Sequence, residues 1–265
     1  MKPSVSKTTL VASSAIALLI ACADERPAPS DPPTDPPMGQ PTGQPIAGGE
    51  PAVPHSNEIA VHMGEHFWQL AIAQDAAIEG DLEGIHEATG WLAQHETLEG
   101  LPESAAPYLM SFRGHAARAA EAPDFTAAAT AIGGVAASCG ACHQALEVTL
   151  PTLIDEDLDP GGDLPSQMSA HIRAADLMWE SLVAPSDEAW QVGANLLSRV
   201  EILPETVAEG DEEVRVVADL LAQLRDIARS SATAAPDERP RLYGQLLATC
   251  GQCHDALGGG LRPGA

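Results

Sequence analysis

Cys139-Gly140-Ala141-Cys142-His143 and Cys250-Gly251-Gln252-Cys253-His254 repeat one pattern, C-x-x-C-H, 111 residues apart. On a helix, residues three and four apart share a face, so each pattern presents two thiols and an imidazole together. That is the spacing covalent attachment of haem c requires: the thiols bond to two vinyl groups and the imidazole reaches the iron. The chain has five cysteines, and four of them fall inside these two copies. Three other chemistries use paired cysteines. A structural zinc site gathers its ligands over shorter stretches and would leave both histidines unexplained. A thioredoxin-like pair wants a βαβ context, and no alternating β-branched run precedes either motif. Disulfides across both C-x-x-C pairs would be unusual. The expected cofactors are therefore two covalently attached haem c groups, on Cys139 and Cys142 and on Cys250 and Cys253, with His143 and His254 as iron ligands.

The fifth cysteine sits elsewhere. Lys2 and Lys7 precede an apolar or small run over residues 10–21, which ends Leu19-Ile20-Ala21-Cys22. The run is too short for a membrane span, which needs about 20 apolar residues. It resembles the lipobox of bacterial lipoproteins. In that family residues 1–21 would be removed and Cys22 acylated, anchoring the chain in a lipid bilayer. A plain signal peptide ending beside a free cysteine is the alternative. Ala23 and Asp24 follow, so no Asp stands directly after the cysteine. Retention at the inner membrane is thereby disfavoured, and the expected location is the periplasmic face, at the outer membrane, or the cell surface. Of residues 23–54, ten of 32 are proline. Such a segment cannot bury enough apolar surface to offset its ordering entropy, and reads as an extended tether.

Charge excludes two partner classes. There are 13 Lys+Arg against 38 Asp+Glu, a formal charge of −25, and losing residues 1–21 would make it −27. Nucleic acid and anionic lipid headgroups both need a basic surface, so neither is an expected partner. Aromatics are only 3% and alanine is abundant, which suits close-packed helices rather than sheet.

The motifs end similar segments: residues 135–142 read V-A-A-S-C-G-A-C and residues 246–253 read L-L-A-T-C-G-Q-C. This is an internal repeat of roughly 100 residues. Each copy parses into four helices. In the first, a run from Ser56 to Glu79 stops at Gly80, Asp81 caps a second run to His95, Pro102-Glu103-Ser104 opens a third, and Pro123-Asp124 starts the motif helix. In the second, the openings are Pro165-Ser166, Pro185-Ser186-Asp187, Gly210-Asp211 and Pro236-Asp237. Short connections favour antiparallel neighbours. The expected fold is all-α: two tandem up-down four-helix bundles over residues 55–150 and 165–258, with a signal peptide (1–21), an anchored tether (22–54), a linker (151–164) and a tail (259–265).

A four-helix bundle with C-x-x-C-H near the end of its last helix resembles the cytochrome c′ group, the class II c-type cytochromes. The resemblance covers about residues 55–150 and 165–258, and rests on motif position and helix count. It implies that the first helix of each bundle covers the distal face of the haem. Two bundles rather than one is a departure from the family. So is a histidine in the distal position, which the family leaves open or fills with Met.

The first helices carry such histidines. Ile59, Met63, His66, Leu70, Ala73 and Ala77 follow the 4-3 spacing of a core seam, as do Met168, His171, Ala175, Met178 and Leu182. His66 lies 15 residues before Asp81 and His171 lies 16 before Asp187. These are the expected distal ligands, with His62 the rival of His66, and Met63 and Met178 the thioether alternatives. A competing register keeps the offset of 111, aligns Trp68 with Trp179 and sets His66 opposite Leu177. His55, His86, His95 and His115 have no repeat partner and are expected at the surface. Trp68 and Trp179 are expected against the porphyrin edge or in the core. Arg118 and Arg229 are candidates for a haem propionate or for a solvated face.

Three functions are compatible with these residues. The favoured one is a dihaem c-type cytochrome lipoprotein carrying single electrons at a bacterial membrane surface, which is not an enzyme. The others are a gas-binding protein with an open haem and a dihaem peroxidase, for which no acid–base residues can be assigned. The acidity suits a basic redox protein as partner, and packing of the two bundles could substitute for the dimer common in the family. Electrostatic steering then predicts that stopped-flow electron transfer to a basic acceptor slows as salt rises past about 0.1 M, where the Debye length is about 10 Å. A salt-independent rate would leave the acidity a solubility role alone.

Overall fold

The structure, a computed structural model, describes residues 56–96, 100–152, 154 and 161–258. The signal run, Cys22, the tether, His55 and the tail lie outside the described residues. The described residues are all-helical: α1 (Ser56–Glu79), α2 (Leu82–Gln94), α3 (Ala106–Ala120), α4 (Phe125–Ala145), α5 (Leu164–Val183), α6 (Asp187–Arg199), α7 (Asp211–Ser231) and α8 (Arg239–Ala256). Two short 3₁₀ turns, Glu103–Ala105 and Pro204–Thr206, precede α3 and α7.

Local chemistry sets the helix ends. Asp81, Asp124, Asp163 and Ser186 each accept a hydrogen bond from the backbone N–H three residues on, satisfying a donor the helix cannot. Each such cap is worth about 1 kcal/mol. α1 ends at Gly80, whose φ of +78° is the left-handed conformation glycine adopts without strain. The Asp81 amide then turns back to the Ala76 carbonyl at 2.8 Å. α5 begins one residue before the expected Pro165-Ser166 opening, because Asp163 is the cap and Pro165 fits the first turn. α8 begins at Arg239, after the expected Pro236-Asp237, with Pro240 in its first turn.

Chain neighbours pack on each other from α1 to α4 and again from α5 to α8. Across the halves, α4 packs on α8, α1 on α8 and α5 on α4, so each half's first helix lies against the other half's motif helix. One contiguous core results, lined by Leu70, Ile85, Ile132 and Val135 in the first half and Met178, Trp190, Leu246 and Leu247 in the second. α4 is apolar enough to cross a membrane by length and composition, but its buried residues make it a core helix.

Glycines make the α4–α8 approach possible, and they do so reciprocally. A Cβ at Gly133 would collide with the Pro240 carbonyl oxygen, and one at Gly244 would lie 3.0 Å from the Ala129 carbonyl oxygen. Adding 111 to Gly133 and Ala129 gives Gly244 and Pro240, so residue and partner exchange places across the contact. The first glycine of each motif behaves alike. Gly140 faces the Leu182 carbonyl at the end of α5, and Gly251 faces the Ala77 carbonyl near the end of α1. Such exchange is the mark of a two-fold, self-complementary interface.

Gly133→Ala and Gly244→Ala should each destabilise the chain by about 1–3 kcal/mol, since backbone rather than a yielding side chain stands in the way. Gly90→Ala, on α2 with only the Ala120 Cβ at 3.9 Å, should be neutral or stabilise by up to about 1 kcal/mol. Urea denaturation midpoints of the three variants make the comparison.

Candidate functional site

Both C-x-x-C-H segments occupy the last turns of their helices, where the preceding apolar turns sink one face into the core and leave the motif half-buried. All four cysteines are free. Burial, with the neighbouring cysteine second, pushes the Cys139 and Cys250 thiols up to about 12, and burial also raises those of Cys142 and Cys253. Such surroundings disfavour a thiolate, as zinc binding would need, and suit an uncharged thioether.

The motif histidines differ. His143 donates from Nδ1 to the Val183 carbonyl oxygen at 2.8 Å, across the two halves. With Nδ1 carrying the proton, Nε2 keeps its lone pair for a metal. His254 Nδ1 is buried with no hydrogen-bond partner among the described residues, and so is His171 Nδ1. His171 stands close to His254: its pKa is lowered to about 4 by burial first and by His254 second. The expected pair of the second half is thus brought together on α5 and α8.

In the first half, His66 is held differently. Its ring stacks on Phe112 with centroids 5.2 Å apart, and its Nε2 is buried without a partner among the described residues. His62 lies 4.4 Å from it and His95 5.1 Å, centroid to centroid. The side-chain nitrogens of His62, His66 and His95 all lie within 4.8 Å of one another. Burial, then His62, His95 and Arg113 in that order, lowers the His66 pKa to about 4. The groups acting on His66 are these, rather than His143.

The first helices correspond more closely than the sequence showed. α6 is capped by Ser186, not Asp187, so His66 and His171 each lie 15 residues before the cap of the next helix. The offset is then 105, and it pairs Ile59 with Leu164, Met63 with Met168, His66 with His171, Leu70 with Ala175, Ala73 with Met178 and Ala77 with Leu182. The first three pairs are half-buried and the last three buried. The offset of 111 would instead pair Trp68, 67% exposed, with Trp179, 2% exposed.

Several expectations need correcting. Trp68 is on the surface, because it faces away from the Leu70–Ala73–Ala77 seam; Trp179 is in the core, 5.6 Å from Tyr243 between ring centroids. His86, His95 and His115 are half-buried rather than at the surface, since they line seams between α1, α2, α3 and α4. His86 Nε2 bonds the Ala122 carbonyl at 3.2 Å, and His115 lies over Gly134. Arg118 is exposed, and Arg229 donates to Asp226 at 2.6 Å on a solvated face. His95 was missed as a site residue because it lacks a repeat counterpart. Hairpin arithmetic would have found it, since it lies as far beyond the α1–α2 turn as His66 lies before it.

Compared with protein-family models, curated proteins and solved structures, the chain has no match in any of the three.

Two core indoles separate packing from hydrogen bonding. Trp190 Nε1 donates to the Ser231 carbonyl at 2.7 Å, whereas Trp179 Nε1 is buried without a partner among the described residues. Both changes to Phe remove the same ring volume from the core, and the Ser231 carbonyl keeps the Ala234 amide at 3.1 Å, so Trp190→Phe should cost about 0.5–1.5 kcal/mol more than Trp179→Phe, the net worth of one hydrogen bond. Denaturant unfolding measures both; equal losses would mean that the Trp190 hydrogen bond adds nothing to stability.

Proposed function

We propose that the chain is a dihaem c-type cytochrome that carries single electrons, built as two interlocked four-helix halves. The observation that carries this is the second half: a C-x-x-C-H at a helix end, with His171 from another helix beside His254, each with a buried nitrogen that has no partner among the described residues, and with burial holding His171 neutral. Unsatisfied buried nitrogens cost about 1–3 kcal/mol each, which a ligand would offset. Cys250 and Cys253 would hold the second haem, and Cys139 and Cys142 the first. His254 with His171 and His143 with His66 would be the histidines that hold the two irons.

Haem would supply a one-electron change at iron. The chain's own residues do the rest. Val183 orients His143 through its carbonyl, Phe112 fixes the plane of His66, and apolar burial keeps both distal imidazoles deprotonated and available as ligands. Two fixed imidazoles leave no open position for a gas or a peroxide, which favours electron transfer over the sensor and peroxidase alternatives. The lipidated Cys22, the periplasmic or surface location and a basic redox partner complete the proposal.

The test is spectroscopic. The purified protein should be fully low-spin and bind carbon monoxide slowly or not at all. His171→Ala should give a high-spin fraction and carbon monoxide binding at one haem, and His66→Ala the same at the other. If His62→Ala opens the first haem while His66→Ala leaves it unchanged, the ligand is one turn away. Carbon monoxide binding at both haems of the unmutated protein would refute the bis-histidine model and favour gas sensing.

A further inference from the structure

The first half carries more imidazole than a haem needs. His62 and His66 are one turn apart on α1, and His95, at the end of α2, closes the group from the facing helix. Aromatic rings hold the imidazoles in place: Trp91 stacks on His95 with centroids 3.9 Å apart, and Phe112 stacks on His66. Glu65 places a carboxylate oxygen 3.8 Å from His95 Nε2. The second half lacks this set. At the offset of 105, His62 and His95 correspond to Gln167 and Val200. Gln167 is committed to the Gly161 carbonyl and the Glu201 amide, and Val200 is core. The extra imidazoles were therefore not imposed by the repeat.

We propose that His62, His66 and His95 form a binding site for one borderline divalent transition-metal ion of the zinc class. Three imidazole nitrogens with Glu65 or water as a fourth ligand match the tetrahedral preference of zinc, with zinc–nitrogen bonds of about 2.0–2.1 Å. Those bond lengths put neighbouring ligand atoms about 3.4 Å apart. Nitrogens already within 4.8 Å of one another reach that by side-chain rotation, without moving either helix. The donor set selects the ion class: imidazole suits zinc, copper and nickel, whereas an oxygen-poor site does not hold calcium or magnesium. One consequence rests on the proposed ligation of the first iron by His66. A single Nε2 cannot serve two metals, so zinc and iron would compete for it, and by linkage whatever releases His66 from iron must tighten zinc binding.

The experiment is a Zn²⁺ titration of the haem-loaded, full-length protein in its oxidised form, followed by calorimetry and by the haem spectrum together. The expected result is saturable binding of one zinc, weakened at least tenfold by His95→Ala and by His62→Ala, and within twofold of unchanged in His86→Ala. His95 is proposed for neither iron, so an unaltered haem spectrum of His95→Ala before zinc is added would show that it is folded; His62, the rival iron ligand, is read only beside it. No saturable binding, or binding that His95→Ala leaves intact, overturns the site. The haem spectrum reports on His66 separately. A high-spin fraction that grows with zinc occupancy places His66 on the iron as well. An unchanged spectrum at zinc saturation leaves the zinc site standing and assigns the first iron's distal ligand elsewhere.

Discussion

The close crossing of α4 and α8 constrains everything around it. At Gly133 and Gly244 one helix backbone comes against the other, and a single methyl on either would meet a carbonyl or an α-carbon. Helices that approach this closely leave no room for side chains between them, so their remaining faces must carry the bulk. The motifs at their ends turn toward the opposite half, where Gly140 and Gly251 receive the ends of α5 and α1. The expectation of two self-contained bundles gives way to interlocked halves: α1 lies on α8 and α5 on α4, and Gln74 on α1 donates to Tyr243 on α8 at 3.0 Å. A duplicated chain that packs its copies about a two-fold axis has reproduced, within one molecule, the arrangement of a homodimer.

Interlocking has a functional side. The Val183 carbonyl that orients His143 belongs to the second half, so the first motif's imidazole is positioned by the other copy. Haems proposed for these two motifs would sit on helices that share one core, and a change at one would be felt through rigid packing at the other. The polar groups at the centre of that core are few and coupled. Asp176 is raised in pKa by burial, with Glu180 next, and accepts from Gln74, so the contact between halves is apolar with a small hydrogen-bonded patch.

Symmetry is broken where chemistry could differ. The second half places one unaccompanied imidazole, His171, opposite its motif histidine, whereas the first gathers three around Phe112 and Trp91. Burial keeps imidazoles uncharged in both places, but for separate reasons: His171 by enclosure and the nearby His254, His66 by enclosure and two neighbouring imidazoles. The two halves thus share a scaffold and not a ligand environment.

Sequence by itself determined the helices and the motif positions. Caps such as Asp81 and Asp124, the stop at Gly80 and the core seam through His66 and His171 are local signals, written within a few residues of the features they set. The duplication was also legible, since the motif segments share Ala, Cys, Gly, Cys and His at the same positions. The register of the first helices was not. Ser186 and Asp187 are both good caps, and only the folded chain shows which hydroxyl or carboxylate meets the Ala189 amide. The partners of Gly133 and Gly244 were likewise invisible, because they depend on which helices meet across long separations in sequence. Periodicity tells which face of a helix is apolar, but not which other helix will cover it. That choice is made by whole-molecule packing, where close backbone approach at four glycines decided between two separate bundles and one interlocked core.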